Sequence, residues 1–172
     1  VIFSKNRLEA FSDGVIAIII TIMVLNIPLP GTFGLPEILG LLRSILIFFV
    51  SFMIVGDQWY RHHFLMQQIS DVSNKLIWRN LLFLFFLSLI PIFTKWVMLN
   101  SGEVVPAFGY DIVFLLVNIS FYLIWTCVPC QNGLPERQEE IEGFNNRSFW
   151  LMRWVIMLVV ICAIVILSFF YP

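Results

Sequence analysis

Long apolar runs dominate this chain and leave it few ways to fold. Five stretches, about 8–29, 37–60, 76–98, 107–128 and 149–171, are each long and apolar enough to cross a bilayer, with polar connectors between them. Lipid offers no water to pair with backbone amides, so a chain of this kind crosses as helices. The expected fold class is all-α: a polytopic transmembrane helical bundle, with 1–172 as a single domain. Of 172 residues, 60% are hydrophobic and 12% charged; a soluble domain has about 45–50% and about 25%. The lipid bilayer is the first partner implied. A net charge of −1, without a basic patch or zinc-finger spacing, gives no support to nucleic-acid binding.

Punctuation sets the segments apart. Pro28, Pro30, Gly31, Gly34 and Pro36 end the first. Asn100, Ser101, Gly102 and Pro106 close the third, and a polar connector, 131–148, follows the fourth. The chain opens on Val1, which points to a missing native start. The first stretch does not read as a signal peptide, because 26–30 has no small-residue cleavage site and the apolar run carries Asp13. Lys5, Arg7, Arg61, Lys75, Arg79, Arg137, Arg147 and Arg153 all fall on one side if the spans alternate. That bias places the N-terminus in the cytoplasm. The other side carries Glu37, Glu103 and Asp111, with only Arg43 and Lys95 as cations there, Arg43 snorkelling or pairing with Glu37. Trp59, Trp78, Trp96 and Trp150 stand near span ends, as an aromatic belt would.

The first stretch carries the most information. It starts polar, with Arg7, Glu9, Ser12 and Asp13, and from Gly14 to Leu25 only Thr21 interrupts the apolar run. As a helix, 8–29 would be about 33 Å long. Gly14, Ala17 and Thr21 form a smooth strip where another helix can approach closely, and Ile18, Ile22 and Leu25 form a neighbouring strip. Asp13 is an ionisable group at the edge of a span, costly without a partner. Depth makes His62, His63, Arg79 and Asn80 its candidate partners.

Arg7-x-x-x-Phe11-Ser12-Asp13 followed by an apolar helix resembles the RxxxFSD signature of the transmembrane protein 175 family, potassium channels of lysosomes and their prokaryotic relatives. Trp59-Tyr-Arg-His-His63 is similar to that family's second helix, and 76–86 with Leu89-Ile-Pro91 to its third; beyond Pro91 the helices are generic. The resemblance implies six helices per subunit, so five are visible and a sixth is expected beyond residue 172. It implies a homotetramer around a central pore, with Ile18, Thr21, Ile22 and Leu25 lining the path. It implies a network of Arg7, Phe11, Ser12 and Asp13 with Trp59, His62, His63 and Asn80. The permeant species would be potassium, with no cofactor and no enzymatic activity, and the location would be a bacterial plasma membrane. No TVGYG-like loop is present for a carbonyl filter.

Plainer and rival readings stand beside these. In isolation an isoleucine stripe is ordinary packing or lipid contact. A proton channel or transporter would use Asp13 with His62 or His63; the motif as a structural network is preferred. Adjacent histidines on a helix point about 100° apart, a poor chelate for metal. Asp57, Gln58 and Arg61 read as interface residues at the membrane edge. Cys127-Val-Pro-Cys130, one pair without a second, reads as ordinary membrane-helix cysteines. A membrane enzyme would need a converging nucleophile, base and orienting group, and none is evident.

Overall fold

The computed structural model describes residues 4–69, 72–100 and 102–127. The fifth apolar stretch, the 131–148 connector and Cys130 lie outside them. Four helices follow in order: α1 (Lys5–Leu25), α2 (Leu35–Gln67), α3 (Asn74–Leu99) and α4 (Val104–Trp125). Each is long and apolar enough to cross a membrane. All four belong to one packing unit, Val1–Pro129.

Local chemistry explains the ends. α1 stops at Asn26, two residues before Pro28. α2 begins with Pro36 and Glu37 in its first turn, where a fixed φ and a negative charge both suit the helix start. The Glu37 carboxylate folds back against Gly34, which has no Cβ in its way, and accepts a hydrogen bond from Thr32 Oγ1 at 3.3 Å. Ser73 caps α3, its Oγ accepting from the Leu76 amide at 3.2 Å.

Two boundaries differ from the sequence expectation. α2 does not end near Tyr60 but continues to Gln67. Asp57, Arg61 and the two histidines look like a span's edge, yet polar residues end a helix's passage through lipid without ending the helix. At 33 residues, α2 is about 50 Å long, more than a bilayer core of about 30 Å. α3 runs unbroken through Pro91, which is buried. Pro is tolerated inside a membrane helix when neighbours re-satisfy the freed carbonyl.

α3 is the hub: it packs on α4 along most of its length and also touches α1 and α2, while α1 and α2 touch each other. The shared core holds Ile16, Ile19 and Met23 of α1, Val55 and Leu65 of α2, Phe83, Leu87 and Ile90 of α3, and Val117, Phe121 and Ile124 of α4. Gly109 lets α4 close on α3, since a Cβ there would meet the Phe93 ring at 2.9 Å and the Trp96 ring at 3.1 Å.

Candidate functional site

α1 has two unlike faces. Leu8, Ser12, Ile16, Ile19 and Met23 are buried in the bundle. On the opposite side Ile18 is 58% exposed, Ile22 44% and Leu25 82%, whereas Ile16 is 1% exposed. Gly14, Ala17 and Thr21 are exposed beside them. The strip expected to receive another helix receives none from the described bundle; a Cβ on Gly14 would meet nothing within 4 Å. The two strips instead form one uncovered face. Thr21 Oγ1 donates to the Ile18 carbonyl at 2.9 Å, which leaves the oxygen its two lone pairs as acceptors.

The N-terminal parts of α1 and α3 and the C-terminal part of α2 are joined by a buried relay of hydrogen bonds. Ser12 Oγ donates to the Leu8 carbonyl at 2.9 Å and accepts from Asn80 Nδ2 at 2.9 Å. Asn80 Oδ1 lies 2.7 Å from His62 Nε2. An amide oxygen can only accept, so the network assigns the proton to Nε2 of His62. The His62 ring lies stacked on Phe83, centroids 5.6 Å apart. Ser12, His62 and Asn80 are all fully or almost fully buried.

A second, more exposed tie lies beside it. Trp59 Nε1 donates to Asp13 Oδ1 at 2.9 Å. The Trp59 ring stacks on His63 at 6.0 Å, and His63 Nε2 lies 3.0 Å from Gln67 Nε2. Asp13 thus finds its partner on α2, but in an indole; neither histidine, nor Arg79, nor Asn80 pairs with it. Tryptophan's single donor makes it easy to pass over when partners are sought among charges and amides. Arg79 goes to α4, where its Nη1 lies 2.6 Å from the Leu123 carbonyl, 2.5 Å from Thr126 Oγ1 and 3.0 Å from Cys127 Sγ. A cation at a helix C-terminus pairs with its last carbonyls and favours its dipole. Arg7 and Phe11 are both exposed and stand apart from both ties.

Two features escaped the sequence reading. Thr94 Oγ1 lies 3.0 Å from Ser51 Oγ and 2.8 Å from the Ile90 carbonyl, and Tyr110 donates to Ser51 at 3.2 Å. These join α2, α3 and α4 at the other end of the bundle. Gln58 is fully buried within the bundle. Ser51, Val55, Gln58 and His62 recur at intervals of four, three and four, the spacing of one helix face, and that was the available signal. His62 is buried and His63 exposed, so the adjacent pair does not converge. Among the described residues no three His, Cys, Asp or Glu side chains gather as a metal site would require.

Long apolar helices, polar groups paired in the interior and an uncovered apolar face together define a helical integral membrane protein. Residues 7–91 match the family model described as "Endosomal/lysosomal potassium channel TMEM175". A potassium channel of Chryseobacterium sp. (strain P1-3) is 34% identical over 170 residues, 98% of this chain and 85% of that relative. A potassium channel of Streptomyces collinus is 32% identical over 70% of this chain and 63% of its own length. The crystal structure of a lysosomal potassium-selective channel TMEM175 homolog from Chamaesiphon minutus superposes with a TM-score of 0.67 at 22% identity, covering 96% of this chain and 95% of that one. The chain belongs to the TMEM175 family.

Proposed function

We propose that this chain is one subunit of a potassium-conducting channel, and that the uncovered face of α1 from four copies lines the ion path. One observation carries the reading. On a helix whose other side is fully packed, Ile18, Ile22 and Leu25 remain exposed next to the small residues Gly14 and Ala17. Small residues beside a large-residue stripe suit close approach of further helices about an axis. The bacterial relatives' names point to potassium as the permeant ion.

In this reading the neck is hydrophobic. Closed, the isoleucine and leucine rings meet and expel water, which blocks ions without a steric plug. Open, the helices tilt or turn, water enters, and Thr21 presents hydroxyl lone pairs to a partly dehydrated cation. The donation of its proton to the Ile18 carbonyl suits that role, because the oxygen then faces the path as an acceptor. Such a neck replaces little of the hydration shell and prefers potassium over sodium only modestly. The bias of Lys and Arg, Lys5 and Arg7 among them, supports a cytoplasmic N-terminus. The inner ties through Ser12 and Asp13 would then anchor the cytoplasmic end of α1 while its outer part moves.

Ion flux into liposomes tests the proposal. Purified protein is expected to pass potassium faster than sodium, and Ile18→Asn is expected to raise resting flux, because a ring of amides holds water where isoleucines expel it. Unchanged flux in Ile18→Asn, Ile22→Asn and Leu25→Asn alike would refute the pore assignment.

A further inference from the structure

The carboxamide of Gln58 is fully buried, and neither its Nε2 nor its Oε1 is paired with any protein group among the described residues. It offers two donors and two acceptor lone pairs, so its hydrogen-bonding demand is large. Buried polar groups are almost always paired, with protein or with ordered water. The surroundings supply no protein partner. The contacts His62–Asn80 and Ser51–Thr94 fix the antiparallel register of α2 and α3. At the level of Gln58 that register brings Phe83 and Leu87 of α3, both buried and apolar. His62, one turn further, has its Nε2 committed to Asn80.

We propose that Gln58 is the seat of an internal water site within the subunit's own helical bundle, bounded by the Ser12–Asn80–His62 relay on one side and the Ser51–Thr94–Tyr110 cluster on the other. Water is the ligand that fits the chemistry. It both donates and accepts, so one molecule can serve the amide nitrogen and another the oxygen, each keeping a bond for a neighbour or a second water. Gln58 shares its helix face with Ser51, seven residues back, and His62, four residues on. Water held at Gln58 therefore lies between the two polar clusters and makes the interior a hydrated seam. This seam lies behind α1, on the side opposite its uncovered face, and is separate from the proposed ion path. The inference does not depend on that path.

The full chain, labelled with 15N-glutamine and held in lipid nanodiscs, provides the test. The Gln58 Nε2 protons are expected to show cross-peaks at the water frequency, identified by their loss in Gln58→Leu. Should Gln58→Leu fail to fold, Gln58→Asn identifies them by the same loss, since asparagine carries no label. Cross-peaks only to aliphatic or ring protons, or to a protein hydroxyl, would overturn the proposal.

Discussion

Asn80 spends both ends of its amide on holding three helices together: the nitrogen on Ser12 of α1, the oxygen on His62 of α2. Asn80→Leu keeps the size but leaves the His62 N–H buried without its acceptor. Stranding a buried donor costs about 1–3 kcal/mol, so a clear drop in melting temperature in detergent is expected. An unchanged melting curve would mean the relay adds nothing to stability. The Trp59–Asp13 bond is more exposed and should matter less. A double-mutant cycle of Trp59→Phe and Asp13→Ala is expected to show a coupling of about 1 kcal/mol, and zero coupling would mean that the two do not interact in the folded chain. Thr21→Val is nearly isosteric, so the fold should survive it. The potassium-to-sodium permeability ratio should change if the hydroxyl faces the ions; an unaltered ratio would assign Thr21 to its bond with the Ile18 carbonyl alone.

Helices were legible in the sequence because lipid leaves an apolar run no other backbone solution. α1, α3 and α4 fall within a few residues of the apolar stretches. The C-terminal end of α2 was not legible. Hydropathy marks where lipid ends, and the helix persists beyond, its polar residues finding partners such as the Phe121 ring 4.5 Å beneath Arg61. Faces were half legible. Spacing grouped Ile18, Ile22 and Leu25, yet it did not tell a packed strip from an uncovered one, since small residues serve both. Nor did spacing give Asp13 its indole, which only the resemblance had set in the same network, or Gln58 its burial, because each depends on which neighbour arrives from elsewhere in the chain. Gly109 tests the α3–α4 contact at this scale. Gly109→Ala places a Cβ 2.9 Å from the Phe93 ring and should cost about 1–3 kcal/mol. Gly109→Leu should lower the melting temperature further, and a wild-type value for both would show that the helices can part there without penalty.

At the level of the whole molecule, α2 outlasts the membrane it crosses. Its 33 residues exceed the hydrocarbon thickness by about 20 Å, so one end stands among headgroups and water. Trp59, His63 and Gln67 lie in its C-terminal part, and Asp13 is bonded there. A C-terminal overhang would set the α1 carboxylate at the depth where the acyl chains stop. Hydrophobic mismatch then becomes a control on this protein: a thicker bilayer would draw the indole and carboxylate towards hydrocarbon, and a thinner one would release them. Reconstitution in long-chain phosphatidylcholine is expected to lower thermal stability relative to short-chain lipid, and Trp59→Phe with Asp13→Ala should flatten that dependence. Equal stability across chain lengths would place the tie clear of the acyl boundary. The chain would in that case carry no gauge of membrane thickness, only a clamp between two helices.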